Sequence, residues 1–169
     1  MSLSQDLAAI ALQEERLQFE RFDANIAWEI GSRLKAAAEA QGLAVAIDIA
    51  LHGGATLFFF AMPGTGPDNI DWIRRKKNVV ARYHRSSYAI GLDLRQKNTT
   101  LREQVGVDDR DFAPHGGCFP IKLRGMGCVG SITVSGLPQR KDHALVVEVL
   151  ADYLKQSLAE LALADPDPA

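Results

Sequence analysis

Cysteine is scarce. Two thiols in 169 residues are too few for a disulfide scaffold or a four-thiolate zinc site. Charge of one sign is also missing in bulk: nineteen basic against twenty-one acidic residues leave a net −2, which argues against a dedicated nucleic-acid binder. No apolar run approaches the roughly 18 residues of a membrane span. The N-terminus (MSLSQDLAAIALQEER) has no basic n-region and turns acidic at once, so it does not read as a signal peptide. Internal repeats and linker-like stretches are absent. Apolar residues nevertheless make up 47% of the chain, enough for one core. These features predict a single cytoplasmic domain.

What charge there is lies unevenly. Six basic residues and no acidic ones fall between Arg74 and Arg85 (RRKKNVVARYHR), leaving a net −8 on the remainder. Such a concentration is either a solvated helix face or a binding surface for an anion or an acidic neighbour.

Periodicity supplies the elements. Leu3, Leu7, Ile10, Ala11 and Leu17 predict an amphipathic helix over 3–18. Asp23 suits the N-cap of a second helix, with Ile26, Ile30, Leu34, Ala37 and Ala38 on one face and Gly42 at its end. Alternation then predicts a strand over 43–51, a turn at Gly53-Gly54, and a return strand over 55–62. Phe58, Phe59 and Phe60 in a row predict that this strand is covered on both faces.

After the turn cluster 63–67, Asp68 is the expected cap of a helix running to about Tyr88. A short helix is expected near Thr100–Val105 and a loop over 108–115, and a fifth strand has room between Ala89 and Phe112. Residues 117–136 read as a hairpin around Gly125-Met126, pairing Leu123 with Cys128, Ile121 with Gly130 and Phe119 with Ile132. That register puts Cys118 and Cys128 on opposite faces and leaves both thiols free. Pro138 opens a last helix reaching Leu161. The expected fold class is α+β, with helices on both faces of an antiparallel sheet. The expected divisions are an N-terminal helical extension over 1–22, one domain over 23–161 and a disordered tail over 162–169.

Three segments carry a resemblance. GGCFPI (116–121), GCVGSITVSGLP (127–138) and Asp142-His143 ahead of an apolar helix resemble the GlcG/HbpS-like, or haem-degrading domain, family. PDNIDWIRRKKNVVARYHRSSYAIG (67–91) resembles a functionally uncharacterised branch of it. The resemblance covers roughly residues 20–160. It implies profilin-like α-β-α layers with about five strands, a homo-oligomer of at least two chains, and a possible ligand in haem or another tetrapyrrole.

Catalytic signatures are thin. The four histidines (His52, His84, His115 and His143) show no i, i+4 pair and no CxxCH motif, and no metal site is expected. His52 reads as a surface residue, His143 as a helix-end polar contact, and His84 as a packed histidine or a site residue. His115 stands before Gly116-Gly117, whose backbone can approach a ligand closely. Ser86-Ser87-Tyr88 lacks a nucleophile-elbow setting and reads as a helix C-cap or a set of backbone contacts. The candidate ligand-binding set is Trp72, Arg75, Lys76, His84, His115, Gly116, Gly117 and Phe119. The leading expectation is an oligomer that holds a small anion. Two alternatives remain: an enzyme using His115 or His84 as acid or base, and a module whose basic helix docks an acidic protein.

Overall fold

The computed structural model describes residues 2–164. In chain order it contains α1 (Leu3–Arg16), α2 (Ala24–Ala40), β1 (Ala46–Leu51), β2 (Thr56–Ala61), α3 (Pro67–Tyr83), α4 (Ser87–Gln96), α5 (Leu101–Val105), β3 (Cys118–Leu123), β4 (Gly127–Ser135), α6 (Gln139–Tyr153) and α7 (Leu158–Leu161). The strands form one antiparallel sheet in the order β2-β1-β4-β3. Helices cover both of its faces, as an α-β-α layering requires. Four strands, rather than about five, are present among the described residues. The segment expected to hold the fifth is helical instead, as α4 and α5.

The core lies between the sheet and the α2/α6 pair. Ile47, Ile49, Phe119, Ile121, Ile132 and Val134 point into it and meet Ile26, Ile30 and Leu34 of α2 and Leu145, Val146 and Leu150 of α6. Asp23 caps α2 through its carboxylate, which accepts from the Asn25 and Ile26 N–H groups at 2.9 and 3.0 Å. The opposite face of the sheet is polar and lies under α3.

Several boundaries differ from the sequence reading. α3 is capped by Gly66 rather than Asp68, with the Gly66 N–H donating to Asn69 Oδ1 at 2.9 Å. It stops at Tyr83 because His84 turns left-handed (φ 52°). Ser86 then starts α4, its hydroxyl accepting from the Ala89 N–H at 3.2 Å. Ser86 is thus an N-cap, whereas Ser87 makes backbone contacts. The final helix divides at Tyr153, where Lys155 turns left-handed, and α7 follows. The expected tail, 162–169, lies mostly outside the described residues.

The β3–β4 register holds from Phe119/Ile132 to Ile121/Gly130. A bulge between Ile121 and Lys122 then shifts the tip, pairing Lys122 with Cys128 and Leu123 with Gly127. Cys128 consequently meets His52 Nε2 at 3.2 Å. Both cysteines are free. Their separation along the hairpin keeps them apart: Cys118 pairs with Thr133, five residues from Cys128, or ~16 Å at strand rise.

The two sheet edges differ. Phe19 bridges to β3, its N–H donating to Lys122 O at 2.8 Å, with the Arg124 N–H returning to Phe19 O at 2.9 Å. β2 has no outer partner among the described residues. Coverage of the phenylalanine triplet is therefore one-sided: Phe58 is buried against Trp28, itself 68% exposed, while Phe59 is 45% exposed.

Candidate functional site

A cleft of about 430 Å³ opens where the N-terminal parts of α3 and α6 approach the end of β4. Asn69, Trp72 and Lys76 line it from α3, Gln139 and Asp142 from α6, and His115 from the loop before β3. The turn Ser135-Gly136-Leu137 forms its floor. Two helix N-termini border one cavity, and the positive ends of their dipoles favour negative charge there.

Trp72 and His115 meet edge to face, with ring centres 5.1 Å apart and planes at 71°. The Arg75 guanidinium lies 4.7 Å from the Trp72 ring centre and donates to Asp109 O from Nε at 3.0 Å and Nη2 at 2.6 Å. The His115 loop is tied down by Ser87, whose hydroxyl donates to His115 O at 2.5 Å and accepts from the Cys118 N–H at 3.1 Å. Loss of surrounding water lowers the His115 pKa, and the cations of Lys76, Arg75 and Arg95 lower it further. Both effects favour its uncharged imidazole at neutral pH.

Lys76 is 3% exposed. Its ammonium donates to Asp142 Oδ2 at 2.9 Å and to Val134 O at 3.1 Å. The other oxygen of Asp142 accepts from the Leu137 N–H at 3.0 Å. Burial raises the Asp142 pKa, against the opposing pull of Lys76. Gly117 makes this packing possible. At φ +124° a Cβ there would lie 2.4 Å from Val134 O and 2.6 Å from Lys76 Nζ.

The structure thus brings Trp72, Lys76 and His115 to one cleft, with Arg75 behind Trp72 and Gly117 beneath Lys76. Gly116 is buried, and its N–H is occupied by Gln139 Oε1 at 3.2 Å. His84 and Phe119 lie elsewhere. His84 is exposed at the far end of α3, stacked on His52 with ring centres 5.6 Å apart, rather than packed on an apolar face. Phe119 is a core residue against His143.

The basic run is compensated in part: Arg74 by neighbouring Asp71 and by Asp111, Lys76 by Asp142, and Lys77 by Asp48. Sequence reasoning missed Asn69, Gln139 and the part played by Asp142. An acid in the first turn after Pro138 was a signal for Asp142, but it pointed equally to a helix-dipole contact. No helix among the described residues is long and apolar enough to cross a membrane. Among the same residues no three metal-ligating side chains gather.

Fold and cleft together define an α-β-α layered protein with a ligand-sized site at the end of its sheet. Residues 22–151 match the family described as haem-degrading protein HbpS-like, and the chain belongs to that family. A UPF0303 protein of Azotobacter vinelandii is 60% identical over 163 residues, covering 96% of this chain and 98% of that protein. One from Serratia proteamaculans is 54% identical over 158 residues, covering 94% and 98%. Among solved structures, the Ybr137w protein superimposes with a TM-score of 0.82 at 31% identity, covering 88% of this chain and 87% of that one. HbpS gives 0.62 at 22% identity, covering 81% and 92%. A PduOC–haem complex gives 0.60 at 14%, covering 72% and 87%. The last two likenesses concern the fold.

Proposed function

We propose that the protein binds a small anionic ligand in the Trp72–His115 cleft and works as a homo-oligomer. The convergence of an aromatic face, an uncharged imidazole and two helix N-termini on one cavity of about 430 Å³ carries this reading. That volume lies within the usual range for small-molecule sites. Lys76 and Asp142 offset each other, so the positive bias of the cleft comes from the helix ends, with Arg75 nearby behind Trp72.

Trp72 is the natural reporter. In a Trp28→Phe background, titration with acetate, phosphate and longer carboxylates should change its fluorescence. The same anions should raise the melting temperature by linkage, about 2.7 kcal/mol at one hundred times Kd. Both responses should weaken in His115→Ala and fall with added chloride. If no anion in the panel moves either signal, the reading is wrong. The Lys76→Ala variant is a poor probe because it strands a buried carboxylate.

Haem is a second reading, favoured by the uncharged His115 imidazole, which is the form that ligates iron, and by the haem bound in one structural neighbour. His115 fits the part of an axial donor. The walls fit the macrocycle poorly, since among the described residues Trp72 and Leu137 are the only large apolar side chains lining the cleft. Haem titration is therefore expected to give no sharp stoichiometric Soret band. A tight band lost in His115→Ala would make haem the leading ligand.

Self-association is expected at β2, where an unpaired edge adjoins exposed Trp28 and Phe59. The N-terminal helix offers no comparable face. The apolar residues of α1 are already spent on α4, with Ile10 against Tyr88, Ala89 and Leu92. Light scattering should give at least twice 18.4 kDa, and Trp28→Ser/Phe59→Ser should lower it.

A further inference from the structure

A second cavity, of about 270 Å³, lies against the first. His115 and Gln139 line both, so the two adjoin at these side chains. The second is walled by Arg75, Arg95, Thr100, Phe112 and Pro114. We infer that the two cavities form one bipartite site for an elongated dicarboxylate, with its second carboxylate held by Arg95. This rests on the anion-binding reading of the first cleft and specifies its ligand class.

The two lobes differ in how their cations are used. In the first, the ammonium of Lys76 is committed to Asp142 and Val134. In the second, Arg75 is fixed between the Trp72 ring and Asp109 O. Arg95 makes no side-chain hydrogen bond and no ion pair among the described residues. It therefore lines a cavity with its guanidinium donors unspent, in a planar fork that matches a carboxylate. Asp109 is the acidic residue of this lobe, so two arginines leave it net positive.

Arg95 is placed there by the backbone of α4. A Cβ on Gly91 would lie 2.1 Å from Pro114 O, so only glycine allows α4 to press on the loop that carries His115. Arg95 follows Gly91 by four residues and shares its helix face. The contact that seats the loop thus also brings Arg95 to the cavity beside it. Charge counting had directed attention to α3 and passed over this residue.

A dicarboxylate has the right shape for the pair of lobes. One end reaches the helix N-termini of the first lobe, the chain passes His115 and Gln139, and the other end meets Arg95. A monoanion fills one lobe only. Inorganic phosphate carries its charge in one place and cannot span both.

Calorimetric titration of the intact protein with acetate, inorganic phosphate, straight-chain diacids from succinate to suberate, and the monomethyl ester of each diacid tests this. At least one diacid should bind tenfold or more tighter than its own monoester. Arg95→Gln, at the exposed end of α4, should bring that diacid to the affinity of the ester while leaving the ester unchanged. Arg95→Lys should keep part of the preference. If acetate or the esters bind but no diacid is preferred, or if Arg95→Gln preserves the preference, the bipartite site is wrong and the single-cleft reading stands. Binding of phosphate as tight as the best diacid also overturns it. If no anion binds at all, both readings fall.

Discussion

Towards α2 and α6 the sheet presents Ile47, Ile49, Phe119, Ile121, Ile132 and Val134. Towards α3 it presents Asp48, Cys118, Ser131, Thr133 and Ser135, all buried. Adjacent residues of the same strands therefore face two different solvents. The first face excludes water and gains stability from area alone. The second is bound by specific partners: Lys77 to Asp48 at 2.8 Å, and Thr133 Oγ1 to Cys118 Sγ at 3.0 Å. Polar groups buried this way add less net stability than apolar ones, but they fix geometry. The candidate site lies at the end of the polar face, where such fixing is useful.

The contrast breaks most visibly at His143, a fully buried histidine on the α6 side, packed near Phe119 and Tyr88. The Gln13 amide donates to Leu161 O at 2.6 Å, which turns its oxygen to His143 Nε2 at 2.8 Å. Nε2 then carries the proton, and Nδ1 has no partner. Burial, with a further contribution from Arg140, lowers the pKa to about 3 from an ordinary 6.5. Between these values the unfolded chain binds the additional proton. Stability should therefore fall as pH drops from about 6.5 and level off near 3, by roughly 5 kcal/mol at most. Urea melts at pH 7, 5 and 4 should show it, and His143→Leu should flatten the difference. Parallel pH profiles for the two proteins would refute the assignment.

Lys76→Met is next in size. It leaves Asp142 buried without its counter-charge, at a cost of about 3–5 kcal/mol. Adding Asp142→Leu should recover part of this loss, though the Leu137 N–H loses its acceptor. A single-mutant cost below about 1 kcal/mol in chemical denaturation would mean that the pair is not sealed from water.

The sharpest comparison uses neighbours on β4. Ile132→Ala opens a cavity in the apolar face and should cost about 3 kcal/mol. Thr133→Val, one residue on and facing α3, gives up only the contact with Cys118 and should cost about 1 kcal/mol. Equal costs would show that the two faces are energetically alike.

Periodicity located α1, α2, both hairpins and α6, because each sets its bulky apolar residues apart from smaller or more polar ones at its own period. It failed where a conformation was set from outside. His84 adopts a left-handed turn with no glycine to announce it, so the sequence reading carries α3 past its end to Tyr88 and misses α4. The bulge at Ile121/Lys122 is likewise silent in the alternation. At the site, Trp72, Arg75, Lys76 and His115 were legible as residue types in a basic run and before a glycine pair. The roles of Lys76 and Arg95 were not, because a buried lysine and a free arginine look alike in a count of charges.

Local sequence determined the α+β class, the capped helices and the β1–β2 and β3–β4 pairings, since backbone propensity and hydrophobic period act within a few residues. Tertiary structure alone decided which cations are spent. Asp142 lies 66 residues from Lys76, and the loop that carries His115 is seated by a glycine on another helix. Whether a charge is neutralised depends on what the fold brings within hydrogen-bond distance, and that information is spread over the whole chain.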